Sequence, residues 1–191
     1  MGLSTRDAIV AAAGELLDEA GPEAVTLRAV AQRVGLSHNA PYKHFADKEA
    51  LLAAVAAVEL RRRADAPRPP QGEPLAMLKR MLRDNVRWAV QHPARFKLTF
   101  GSWTRHDEDL GEAAHAARMR FVKAVASAQA AGALPPGDPE RVSAMLLALG
   151  HGAADLALGG HLSREGKGHA DPEDLVDDLF DLFERAAPGR K

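Results

Sequence analysis

Prolines and glycines cut this chain into lengths that suit helices and little else. Gly21-Pro22 closes a first segment, Thr5 to Ala20, and Gly35 breaks a second, Leu27 to Val34. Pro93, Gly132, Asp138-Pro139, Gly159-Gly160 and Asp171-Pro172 mark further ends and starts. Glycine accepts the left-handed cap of a helix C-terminus, and proline fits a first turn but not an interior. Between these marks apolar residues recur at helical spacing. Ile9, Ala13, Leu16, Leu17 and Ala20 make one stripe, Leu27, Val30, Ala31 and Val34 a second, and Leu51, Leu52, Val55 and Val58 a third. Ser4, Thr26, Ser37 and Asp47 stand where helices open, each with a side-chain oxygen able to cap free amides. No segment alternates with the period of a half-buried strand. The fold class expected is all-α, with about nine helices.

Four of these helices precede Arg61-Arg62-Arg63 and a proline-rich tract, Ala66 to Pro74, that reads as a linker. Five follow: Leu75 to Gln91, Pro93 to Phe100, Asp109 to Ala131, Asp138 to Leu158, and Asp171 to about Ala187. His161 to Ala170 is polar and glycine-containing and reads as a loop. Two domains are expected, over 1–52 and 53–191, with the fourth helix joining them.

The chain has 191 residues, 46% of them hydrophobic and 27% charged, which is enough apolar material for a core. It has no cysteine, so disulfides and thiolate metal sites are excluded. Arg6 and Asp7 interrupt any signal-peptide core, and no apolar run reaches membrane-spanning length, so a soluble cytoplasmic protein without membrane contact is expected. Net charge is −1, so attraction to nucleic acid has to come from where the charges sit.

They sit favourably between Leu27 and Phe45. A short helix, a turn at Gly35 and a second short helix from His38 to Phe45 have helix-turn-helix arithmetic, with small Ala31 at the crossing and Leu36 plugging the core. At about 100° per residue, His38, Asn39, Tyr42 and Lys43 share one arc of the second helix, while Pro41 and Phe45 share the opposite one. His44 falls off the outward arc. That arc has no acid. Lysine and tyrosine can reach phosphates, and asparagine and histidine can bond base edges. Thr26, Ser37 and Lys48 begin helices, whose N-terminal amides also favour phosphate.

The run Thr26-Leu27-Arg28-Ala29-Val30-Ala31-Gln32-Arg33-Val34-Gly35-Leu36-Ser37, followed by Tyr42-Lys43-His44-Phe45-Ala46-Asp47-Lys48-Glu49-Ala50-Leu51, resembles the DNA-binding signature of the tetracycline-repressor (TetR) family. With the first helix the resemblance covers about residues 5–52. It implies phosphate contacts at Thr26, Tyr42, His44 and Lys48, and base contacts at Arg28, His38 and Asn39. Many relatives have Gly-Thr-Leu where this chain has Asn39-Ala40-Pro41. The resemblance implies an N-terminal three-helix DNA-binding domain, a C-terminal helical bundle and a homodimer on double-stranded operator DNA.

In the C-terminal half, Val142 to Leu158 is apolar on almost every side. The apolar residues of the last helix span roughly 160°, more than one neighbour can cover. The pattern points to a four-helix dimer interface carried by Leu147, Leu175, Leu179, Phe180 and Phe183, in agreement with how TetR-like proteins pair. Trp88, Phe96, Phe100, Trp103 and Phe121 cluster in the sequence and, with Met145 and His151, are the candidates to line an apolar pocket. Leu149 to Leu156, with Gly150-His151-Gly152 inside it, resembles the motif of a TetR C-terminal subclass named for Trp-His-Gly, although Leu147 stands where the tryptophan is expected.

His106, His115, His161 and His169 lack two-ligand spacing on a helix face, so no metal is expected. No nucleophile-base set or phosphate loop has a supporting context, so neither catalysis nor a cofactor is expected. The function expected is a ligand-responsive DNA-binding transcriptional regulator, a repressor released from a palindromic operator by an apolar or amphipathic small molecule. A regulator controlled by a protein partner, and a helical enzyme or carrier using the pocket, stay open as alternatives.

Overall fold

The computed structural model describes residues 4–66 and 73–186. Among them are eight α-helices: α1 (Thr5–Ala20), α2 (Leu27–Arg33), α3 (Lys48–Asp65), α4 (Pro74–Gln91), α5 (Pro93–Thr99), α6 (Glu108–Ala130), α7 (Pro139–Leu158) and α8 (Pro172–Ala186). The protein is all-α, with helix-turn-helix elements first and a helical bundle after them. Much of the expected linker, including Pro67, Pro69, Pro70 and Gly72, lies outside the described residues, as does Ala187.

Three of the four expected caps form, while the turn after Ser37 opens at Ala40 with no side-chain cap. The Ser4 hydroxyl accepts from the Asp7 amide at 3.1 Å, Thr26 from Ala29 at 3.0 Å and Asp47 from Ala50 at 2.9 Å. Gly35 has φ +68°, a conformation that favours glycine, and Leu36 N–H then closes back on the Ala31 carbonyl at 2.9 Å.

One expected helix is not α-helical. His38 to Phe45 folds as a tight turn followed by a 3₁₀ turn at Pro41–Lys43. Pro41 has no N–H to bond the Ser37 carbonyl, so that oxygen receives the Ala40 amide at 3.0 Å instead. Among the described residues the α-helix count is therefore eight, one fewer than the sequence suggests.

The helices gather into two compact units. Of the described residues, the first holds Ser4–Ala66 with His92–Ala117, and the second holds Glu73–Gln91 with Arg118–Ala186. The first is larger than the segment 1–52 and takes in all of α3 and α5. Its core joins Ile9, Ala13 and Leu17 of α1, Leu27 and Val30 of α2, and Leu51 and Val55 of α3, with Leu36 packed against it. Ala20, expected in the α1 stripe, is exposed at the helix end. Residues Leu51 to Ala57 are buried without a break, because the far side of α3 packs through Ala53, Ala56 and Leu60 on Leu110 and Ala113.

In the second unit, Leu78, Leu82 and Val86 of α4 meet Phe121 and Val125 of α6, Leu146 of α7, and Val176 and Phe180 of α8. A side chain on Gly150 would put its Cβ 2.8 Å from Leu82 Cδ1, so α7 approaches α4 through a glycine. Along the other flank of α4 runs a charge ladder to α8. Lys79 meets Asp177 and Asp181 at 3.3 and 3.2 Å, Arg83 meets Asp177 and Glu173 at 2.6 and 3.1 Å, and Arg87 meets Glu173 at 2.5 Å. Burial pushes the Glu173 pKa up, but hydrogen bonds from Arg87 and Arg83 outweigh it and hold it below the usual glutamate range.

Two outcomes follow from this packing. Gly150→Ala gains about 1 kcal/mol of helix propensity, but overpacking at Leu82 costs about 1–3 kcal/mol, so urea unfolding should show a net loss. Gly111→Ala, in open space on α6, should instead stabilise. A carboxylate with a lowered folded pKa stabilises fully above its unfolded value and loses that contribution as pH falls through the folded one. Melting temperature should therefore drop as pH falls below about 4.3, and the drop should be shallower in Arg83→Gln.

Candidate DNA-binding surface

The surface rests on a buried charge network. Glu59 of α3 is only 3% exposed. Arg95 of α5 reaches it at 2.8 Å and also grips Asp18 of α1, through Nη2 at 2.9 Å and Nε at 3.0 Å. Arg62 and Arg63 lie at 3.1 and 3.9 Å from the same carboxylate. Burial pushes the Arg63 guanidinium down to about 10, and it sits 5.7 Å above the Phe100 ring. Gly14 makes room for Arg95: a Cβ there would lie 3.0 Å from its Nη2. Three helices are thus tied at one point.

Every residue expected on the DNA face is at the surface. Thr26 is exposed at the α2 cap and Arg28 is exposed in the first turn behind it. Ser37, His38, Asn39, Tyr42, Lys43 and His44 are all exposed, Tyr42 to 59%, while Pro41 and Phe45 are buried beneath them. His44 therefore departs from the arc drawn for a regular helix. Regular 3₁₀ winding would eclipse His44 with buried Pro41, three residues before it; the 3₁₀ turn instead stops at Lys43, and His44 follows it as the cap, with φ −114°, and is exposed. Lys48 is half-buried at the start of α3, 3.5 Å from Glu23.

The acids of α1 do not oppose this face. Glu19 and Glu15 pair with Arg33 at 2.6 and 3.6 Å, and Asp18 is held by Arg95. The hydrogen bond from Arg33 holds Glu19 below the usual glutamate range. The sequence did not announce these pairings, since the partners lie 14 and 77 residues apart.

The residues expected to line a pocket divide between the units. Phe96 and Phe100 pair in the first, with ring centroids 5.4 Å apart. Trp103 is half-buried and packs on the cores around α3. A cleft beside it, lined by Glu49, Ala50, Ala53, Arg105, His106 and Asp107, has a volume of about 30 Å³, far below the roughly 300 Å³ of a small-molecule site. In the second unit Trp88 and His151 are half-buried on α4 and α7, whereas Phe121 belongs to the core itself. Met145 is 58% exposed, so it leaves the pocket for the outer face of α7.

The expected interface residues also part company. Leu147, Leu175, Leu179 and Phe183 are half-buried, but Phe180 is fully buried in its own chain's core and is withdrawn from the interface. Leu182, 57% exposed, takes the outward position. Among the described residues, no group of three acids or histidines could hold a metal ion, and no helix is long and apolar enough to cross a membrane.

A helix-turn-helix with an exposed, acid-free second element, followed by a helical bundle, defines a helix-turn-helix regulator class. The model for bacterial regulatory proteins of the tetR family matches residues 9–55, and that for the tetracyclin repressor-like C-terminal domain matches residues 78–183. The second match alone spans more than half the chain, and the protein belongs to the TetR family. It is 38% identical over 73 residues to the class D tetracycline repressor protein of Escherichia coli, a match spanning 38% of this chain and 34% of that repressor. It is similar over 98% of its length to a solved protein of unknown function from Rhodococcus sp. RHA1, covering 97% of that chain at 30% identity and a TM-score of 0.77. It shares the fold of AibR, solved in complex with isovaleryl coenzyme A and operator DNA, at 18% identity and a TM-score of 0.64, over 95% of this chain and 99% of that one.

Removing the buried acid tests the network. Glu59→Ala leaves Arg95 with Asp18 as its remaining carboxylate and should cost about 1–3 kcal/mol, read by urea unfolding. The exposed Glu23→Gln should leave stability unchanged.

Proposed function

We propose that this protein is a ligand-responsive transcriptional regulator, a repressor that binds a palindromic operator as a homodimer and leaves it when a small molecule binds. The observation that carries this reading is the exposed, acid-free segment Ser37 to His44 beside Lys48. In this reading Thr26, Tyr42, Lys43, His44 and Lys48 meet phosphates, with Ser37 offering its hydroxyl at the same edge. Arg28, His38 and Asn39 read bases. Residues 1–52 form the DNA-binding part and 53–191 the sensing and dimerising part, working in the cytoplasm without catalysis.

Self-association is supported by an unpartnered apolar stripe. Met145, Ala148, Gly152 and Leu156 follow one another at helical spacing on the exposed side of α7, and Leu182 is exposed on α8. Leu147, Leu175, Leu179 and Phe183 flank that face. A twofold pairing of α7 and α8 buries it.

The effector is read as apolar or amphipathic, with Trp88 and His151 of the second unit as its candidate contacts, the latter within the Trp-His-Gly-like segment. The isovaleryl coenzyme A complex of AibR is a precedent on the same fold for such a ligand. A ligand that favours a conformation with misplaced reading segments shifts the population off DNA.

Selecting duplexes from a random pool with the purified protein tests the reading, and a palindrome should emerge. Lys48→Ala should weaken selected and random duplexes alike, whereas Asn39→Ala should cost about 1–3 kcal/mol at one base position per half-site. The reverse pattern would invert the assignment of the face, and no enrichment would sink it. Light scattering at micromolar concentration should give a dimer mass, and Leu182→Asp should shift it toward monomer. A monomeric wild type would refute the pairing.

A further inference from the structure

The segment between α5 and α6 straps the first turn of α3. Arg105 Nη1 donates to Asp47 Oδ2 at 2.5 Å, Thr104 Oγ1 donates to Glu49 Oε1 at 2.7 Å, and Trp103 packs on the core beneath. The other Asp47 oxygen accepts from the Ala50 amide at 2.9 Å. One carboxylate thus caps α3 with Oδ1 and holds the strap with Oδ2.

Lys48 stands between Asp47 and Glu49 in the chain, with Glu23 at 3.5 Å. A phosphate reaching Lys48 therefore approaches three carboxylates. The helix N-terminus favours that phosphate and the carboxylates repel it. The strap answers two of the three: a full positive charge for Asp47 and a hydroxyl donor for Glu49. Removing Arg105 would leave Asp47 with its cap alone.

We propose that Arg105, outside the helix-turn-helix segment, is a positioning residue for DNA binding: it neutralises Asp47 and fixes it on the α3 cap so that Lys48 can engage phosphate. The proposal rests on the DNA-binding reading above. The Ala50 amide and then Arg105 hold Asp47 below the usual aspartate range, in keeping with a carboxylate kept charged by the strap. The Arg105 side chain is 58% exposed, so truncating it opens no cavity.

The test compares wild type, Arg105→Ala, Arg105→Lys, Asp47→Asn and the Asp47→Asn/Arg105→Ala double variant. Each is titrated by fluorescence anisotropy with a duplex selected from a random pool and with a scrambled duplex of equal length, at several salt concentrations. Melting temperatures are recorded alongside. Arg105→Ala should weaken both duplexes about three- to tenfold at low salt, with the loss shrinking as salt rises. Arg105→Lys should bind like wild type. Asparagine still caps a helix, so Asp47→Asn should restore binding to Arg105→Ala with little change in melting temperature. A purely structural strap would lower the melting temperature, spare no binding on rescue and show no salt dependence. Wild-type binding by Arg105→Ala, loss on the selected duplex alone, or a double variant no better than Arg105→Ala would each overturn the proposal. A wild type that binds neither duplex would overturn the DNA-binding reading itself, before any variant is compared.

Discussion

Burying a carboxylate as deeply as Glu59 costs several kcal/mol of desolvation, which a cation held beside it offsets. Arg95 supplies that cation from another helix and uses its remaining donors on Asp18 of a third. The fork of a guanidinium suits this, since two parallel bonds to one carboxylate fix orientation as well as distance. Lys48 lies eleven residues before Glu59 on the same helix, about 16 Å along its axis. The first turn of α3 is therefore referenced to a buried ion pair as well as to the strap at Thr104 and Arg105. Apolar packing around Ile9, Val30 and Leu51 gives the unit its stability, and the charge network gives it a register.

Much of this was legible in the sequence, and the reasons are local. Ser4, Thr26 and Asp47 cap helices because a hydroxyl or carboxylate just before an apolar stripe has amides to satisfy nearby. Gly35 turns because few other residues accept its conformation. Ala31 at the helix crossing is fully buried, as its size suggested. The segment proposed to read DNA was legible in composition and not in geometry. Its polar residues face out as expected, but Pro41 withholds one amide, the segment does not wind as one α-helix, and His44, off the expected arc, is exposed where the 3₁₀ turn ends.

What the sequence could not show was pairing over distance. Glu59 and Arg95 are 36 residues apart and Asp47 and Arg105 are 58 apart, and no periodicity connects them. Nor does the width of an apolar arc say which part faces inward. On α8, Phe180 turns to α4 and α7 while Leu182 turns to solvent, and both belong to one stripe on paper. The aromatic cluster has the same ambiguity. Phe121 fills the core of the second unit and Trp103 that of the first, so richness in rings over a stretch of chain measured packing demand as well as any cavity.

Pro41 has a wider consequence. A 3₁₀ turn advances about 2.0 Å per residue against 1.5 Å in an α-helix, so winding type sets the spacing of the side chains it displays. Pro41 is buried beneath the polar surface, yet the amide it lacks is one that an α-helix through this segment would use. Recognition on such a segment can diverge along two independent routes. One replaces the exposed side chains and keeps the scaffold. The other changes the buried residue and with it the winding, and so the spacing at which the same exposed side chains are displayed.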